Sequence, residues 1–125
     1  MKSKNIIITG TSRGIGYELA LQFANAGHQV LAISRKTPKE LIENQNITCL
    51  SIDISNPEEL LQVENFINRT WKKVDVLIHN AGSLLHKTFT QITSEEFQNI
   101  YKVNVFAVAE LTKSVFHSWK KGVMW

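Results

Sequence analysis

Thr9-Gly10-Thr11-Ser12-Arg13-Gly14-Ile15-Gly16 (TGTSRGIG, residues 9–16) is the stretch that decides the fold, and its glycines fall in a G-x-x-x-G-x-G pattern. It is preceded by Asn5–Thr9, a short β-branched run of the kind that forms a strand buried on both faces. Behind it, residues 14–26 carry apolar side chains at Ile15, Leu19, Ala20, Phe23 and Ala24, a helical period, and Gly27 supplies a C-cap. Glycines between a strand and a helix let the chain turn tightly and let a pyrophosphate approach backbone N–H groups at the helix N-terminus. A glycine-rich turn without a ligand is the alternative, and the strand–turn–helix context favours the nucleotide site. No Gly-Lys-Ser/Thr follows, so the turn is not a Walker loop.

Outward from this unit the chain keeps alternating. Gln29–Ser34 reads as a second buried strand, residues 38–43 as a weak helical turn or two, and residues 47–52 as a third strand. Asn56-Pro57-Glu58-Glu59 starts a helix that runs to about Trp71: Asn56 caps, Pro57 takes the first helical position, and Glu59 can reach back. Residues 74–79 (VDVLIH) read as a fourth strand, and Thr93-Ser94-Glu95-Glu96 as a capping box opening a long helix to Lys121, with Gly122 beyond. Residues 82–92 form the one long loop, after a strand's carboxyl end, where such folds place ligands. Strands alternating with helices imply an α/β fold with a doubly wound parallel sheet.

The 125 residues leave room for one domain, residues 1–125. The composition, 43% apolar and 20% charged, is that of a globular protein, not a disordered tail. A net charge of +3 comes from scattered basic residues that form no stripe for a phosphate backbone, so no nucleic-acid partner is expected. One cysteine, Cys49, excludes an intramolecular disulfide, and sitting within a strand it reads as an inert core thiol. No run approaches the roughly 18 apolar residues of a membrane span, and the N-terminal run is too short for a signal-peptide core. The expectation is a cytoplasmic protein with no membrane partner and no metal.

Several further residues carry chemistry. A protein selecting NAD places an acid after the second strand, whereas this chain reads Ser34-Arg35-Lys36. Arg35 and Arg13, from adjacent βα turns, could together grip a 2′-phosphate, which favours NADP(H) over NAD(H). Two solvated surface arginines are the alternative. Asp53 could accept a hydrogen bond from an adenine amino group while Ile54 offers backbone groups; equally, Asp53 could cap a turn before Asn56-Pro57. Small residues in His79-Asn80-Ala81-Gly82 let a cofactor lie close to the backbone, and Asn80 can fix neighbouring strands. His79 reads as a packed, satisfied side chain rather than a catalyst. Asn104 sits on an otherwise apolar helical face with Phe97, Ile100, Val108, Leu111 and Val115, so a buried asparagine is expected there, as a structural pin or part of a polar site.

Together, TGTSRGIG, Asp53, HNAG and Asn104 in YKVNVF resemble the short-chain dehydrogenase/reductase superfamily, in its plain, non-extended branch, over essentially the whole chain. The resemblance implies a Rossmann-like three-layer α/β/α fold and hydride transfer between a nicotinamide cofactor and a carbonyl or alcohol. It implies that Gly10, Ser12, Gly14, Ile15 and Gly16 line the pyrophosphate and ribose. Arg13 and Arg35, with Ser34 beside them, would contact the 2′-phosphate, and Asp53 and Ile54 the adenine. Asn80, Ala81 and Gly82 would form the nicotinamide-side wall, and Asn104 would support a proton-relay water.

Two departures stand out. His79 replaces the first asparagine of many members. The family's catalytic Ser after a fifth strand and its Tyr-x-x-x-Lys are not found: Tyr17 is followed four residues on by Leu21, and Tyr101 by Val105. The chain ends at Trp125, about where the resemblance puts the fifth strand, so the expectation is an N-terminal part truncated to four strands in order 3-2-1-4. Such a piece would be inactive alone and would self-associate through strand 74–79 or helix 94–121, because a bare apolar edge pairs with something. The competing readings are a non-catalytic nucleotide-binding or sensing module and a dimerising fragment without nucleotide affinity.

Overall fold

The computed structural model describes residues 2–82 and 89–118. Four parallel strands form its sheet: β1 (Asn5–Thr9), β2 (Gln29–Ser34), β3 (Ile47–Ser51) and β4 (Val76–Ile78), in the order β3-β2-β1-β4. The register pairs Ile7 with Leu31 and with Leu77, and Leu31 with Thr48. The order 3-2-1-4 is the one expected from the sequence.

Strand side chains alternate between two cores, because successive residues point to opposite faces. Ile6, Ile8, Val30 and Ala32 pack with Ala20 and Ala24 of α1 (Gly14–Asn25) and Leu41 of α2 (Lys39–Ile42). Ile7, Leu31, Ile33 and Leu77 pack on the other face with Leu60 and Val63 of α3 (Pro57–Phe66) and with the C-terminal helix. Helices on both faces make the Rossmann-like three-layer α/β/α sandwich, and the strands read as continuous Ile/Val/Leu runs because both faces are covered.

The local signals act largely as read. Asn56 Oδ1 accepts from Glu58 N at 3.0 Å with Pro57 in the first turn, but Glu59 reaches past the cap to accept from Asp53 N at 3.3 Å. α3 continues as a π-turn, Ile67–Trp71, that ends on Lys72 at φ 63°. Thr93 and Glu96 form the reciprocal capping box at 3.1 Å in each direction. The expected strand 74–79 shortens to Val76–Ile78. At its start the Asp75 carboxylate takes the amide of Asn5 at 2.8 Å, and at its end His79 turns away to Thr112.

The C-terminal helix departs from its reading. It runs as α4 (Ser94–Tyr101), a π-turn (Lys102–Phe106) and α5 (Ala107–Val115), followed by a 3₁₀ turn (Phe116–Ser118); residues 119–122, with Trp119, Lys120, Lys121 and Gly122, lie outside the described residues. The wide turn inserts one extra residue and shifts the buried face. Ala107, Leu111 and Val115 are buried, whereas Phe97 is 62% exposed and Asn104 is also exposed. The expectation of Asn104 buried on an apolar face with Phe97 is therefore corrected.

Candidate functional site

The carboxyl ends of all four strands open onto one cavity of about 1070 Å³. The sequence runs from β1 to β2 on one side and returns to β4 on the other, so the strand order reverses beside β1. In open α/β sheets that switch point is where a crevice forms.

The glycine turn fits its place by close packing. Gly10 has φ +72°, and a Cβ there would meet Ala81 N and Cα at 2.8 Å. A Cβ on Gly16 would overlap the Gly10 carbonyl oxygen and the Asn80 side chain. Asn80 Nδ2 donates to Gly10 O at 3.0 Å, and Thr9 Oγ1 accepts from Asn80 N and Ala81 N, each at 3.0 Å. The turns after β1 and β4 are thus tied into one unit. Sequence reading assigned the Asn80 role but missed Thr9; a buried hydroxyl at a strand end, which must find partners, was the available signal.

Of the residues singled out from sequence, Gly10, Ser12, Arg13, Ser34, Arg35, Asp53, Ile54, Asn80, Ala81 and Gly82 line this cavity. Gly16 is buried beneath Gly10, while Gly14 (φ +66°) and Ile15 (72% exposed) lie at the start of α1. Asn104 approaches the far end: a Cβ on Gly82 would come within 3.3 Å of its Oδ1. Lys36, Thr37, Pro38 and Val103 also line the cavity without having been singled out.

The turn after β2 presents its cations on a braced backbone. Ser34 Oγ donates to Lys36 O at 2.6 Å, and the hydroxyls of Thr37 and Ser51 meet at 2.6 Å. After β3, Asp53 Oδ1 accepts from Ser55 Oγ at 2.7 Å and from Ser55 N at 2.9 Å. Asp53 therefore caps the turn and also faces the cavity. The Ser55 hydroxyl foremost, then the Ser55 amide and lastly the charges of Arg35 and Lys102, hold its carboxyl below the usual carboxylate value against the opposing effect of partial burial.

His79 is half-buried and bonded to Thr112 at 2.9 Å. Thr112 Oγ1 spends its hydrogen on Val108 O at 2.8 Å, so His79 Nε2 must be the donor to Thr112. Burial pushes the His79 pKa down, in keeping with a neutral ring that links β4 to α5. Among the described residues no group of three or more His, Cys, Asp or Glu could hold a metal, and no helix is long and apolar enough to cross a membrane.

A parallel sheet in this order, with a glycine turn at the switch point, defines a Rossmann-like α/β protein whose crevice is lined by small residues and cations. The short chain dehydrogenase family model matches residues 4–123, and the chain belongs to that family. It is similar to the 3-oxoacyl-(acyl-carrier-protein) reductase FabG of Buchnera aphidicola subsp. Baizongia pistaciae, with 26% identity over 125 residues, 94% of this chain and 50% of the relative. It is also similar to an NADPH-dependent pterin aldehyde reductase of Arabidopsis thaliana, with 27% identity over 118 residues, 89% of this chain and 49% of the relative. Among solved structures, a short chain dehydrogenase from Leptospira borgpetersenii with bound NAD+ superposes with a TM-score of 0.86 at 26% identity, over 94% of this chain and 46% of the other. The chain thus spans about half the length of the relatives it matches.

Proposed function

We propose that this chain binds NADP(H) in preference to NAD(H) and forms the coenzyme-binding part of a short-chain dehydrogenase/reductase-type oxidoreductase. The nicotinamide, when bound, accepts hydride from an alcohol or donates it to a carbonyl. Gly10, Ser12, Gly14, Ile15 and Gly16 hold the pyrophosphate and ribose, Asp53 and Ile54 the adenine, and Asn80, Ala81 and Gly82 the nicotinamide side. Asn104 supports a water in proton transfer, a role that the approach of its Oδ1 to Gly82 favours. Without the family's Ser and Tyr-x-x-x-Lys within residues 1–125, the chain does not turn over a substrate alone.

The observation that carries the coenzyme preference is that Arg13 and Arg35 line the same cavity with Lys36 beside them, while no acid stands at residues 34–36. A 2′-phosphate there meets a guanidinium pair that can bind it bidentately. The Arabidopsis relative is NADPH-dependent by name and the Leptospira structure holds NAD+, so members differ, and the two arginines support NADP(H) for this chain. Fluorescence titration of the full chain is expected to give tighter binding of NADPH than of NADH, with Arg35→Glu removing the difference. Equal affinities in the unaltered chain contradict the preference.

The same proposal includes a cytoplasmic location and self-association through strand 74–79 or helix 94–121. β4 lies at the sheet edge, and Phe97, Tyr101, Val105, Phe106 and Phe116 are each close to half exposed or more. Light scattering is expected to show a species larger than the monomer; a monodisperse monomer overturns this part.

A further inference from the structure

We infer that Ser55 is a positioning residue of the site: its hydroxyl and amide hold one oxygen of the Asp53 carboxylate, so that the other is presented as acceptor to the amino group of an adenine. This rests on the dinucleotide reading above and adds to it a residue outside every motif that carries the family resemblance.

Every polar group of Asp53 but one is engaged. Its amide donates to Glu59 Oε1 at 3.3 Å, and its carbonyl accepts from Asn56 N at 3.0 Å. Oδ1 accepts from Ser55 Oγ at 2.7 Å and from Ser55 N at 2.9 Å. Among the described residues no hydrogen bond goes to Oδ2, although Asp53 lines the cavity beside Ile54. The last torsion of an aspartate is broad and two-fold when free, so either oxygen can serve as acceptor. Two donors on Oδ1 settle which one is open. A turn that needed only a cap would be served by the Ser55 amide alone; the hydroxyl adds a second and shorter bond to the same oxygen. That hydroxyl is also the foremost cause that keeps the carboxyl below its usual value and therefore ionised. An ionised carboxylate accepts hydrogen bonds only, so it selects a base that offers an N–H donor and rejects one that offers a carbonyl oxygen.

The test titrates the full chain with NADP+ and with its deaminated analogue, nicotinamide hypoxanthine dinucleotide phosphate, which carries an oxygen where adenine carries the amino group. Ser55→Ala is expected to weaken NADP+ binding by about two- to tenfold, the range of one hydrogen bond. The analogue should change less, so the preference for adenine shrinks, and Ser55→Thr, which keeps the hydroxyl, should restore it. The preference should also fade at a higher pH in Ser55→Ala than in the parent, because the carboxyl there takes up its proton more readily; the 2′-phosphate is common to both nucleotides and cancels from the ratio. In an Asp53→Asn background Ser55→Ala should leave the ratio as it is. If Ser55→Ala does not fold, Ser55→Cys, similar in size and a weak donor, is expected to shrink the preference in the same direction. An unchanged ratio in the folded variant overturns the inference, as does an equal loss for both nucleotides, which would make Ser55 a brace of the turn alone. Equal binding of the two nucleotides by the unaltered chain overturns it while the dinucleotide reading stands; binding of neither takes that reading down first and the inference with it.

Discussion

A methyl group added at Gly16 has no room, since it would overlap the Gly10 carbonyl and the Asn80 side chain. Gly16→Ala is expected to destabilise the protein by about 1–3 kcal/mol, as overpacking does, and to weaken NADP(H) binding. Gly27→Ala meets nothing within 4 Å and bears only the cost of φ +95°. It should cost about 1–2 kcal/mol and leave binding untouched; urea denaturation and nucleotide titration of both variants check this. His79 gives a pH dependence of known sign. Burial lowers its pKa from 6.5, so the unfolded chain binds the proton more readily, and His79 takes stability away as pH falls below that value. Replacing it by Gln should flatten the fall in unfolding free energy as pH drops below about 6.5 relative to the parent. Glycine and Asn80 were legible as residues because a tight turn and a close backbone approach admit few side chains. Thr9 was not, because a threonine ending a β-branched run reads as strand, and its two accepted hydrogen bonds come from residues 71 and 72 positions away.

The elements show where periodicity suffices and where it fails. β1, α1 and β2 begin and end within a residue of their sequence reading, because Gly10 and Gly27 punctuate them. The long helix fails on register. A regular period places Phe97, Asn104 and Leu111 on one face, and nothing in the apolar pattern marks an inserted residue. The π-turn instead buries Ala107, Leu111 and Val115 and turns Phe97 out. Leu111→Ala is accordingly expected to cost about 2–5 kcal/mol. Phe97→Ala should change monomer stability by no more than about 0.5 kcal/mol. Comparable losses at both positions would restore the regular register. At the start of α4, Thr93→Ala removes the cap acceptor of Glu96 N and should cost about 1 kcal/mol, read as a lower denaturation midpoint.

At the scale of the molecule, the strand order follows from alternation and places all four carboxyl ends at one crevice, so both the fold and the position of the crevice were legible in the sequence. The contribution of the C-terminal helix was not: Val103 lines the cavity from the π-turn, a tertiary feature without a local sequence signal. The central claim is that this crevice is a dinucleotide site built from the turns after all four strands. It is tested most directly by adding NADP+ to isotope-labelled protein and following the backbone amide resonances by NMR. The account predicts saturable shifts concentrated at residues 10–16, 34–37, 53–54, 80–82 and 102–104. Absence of saturable shifts, or shifts centred elsewhere on the molecule, would contradict it.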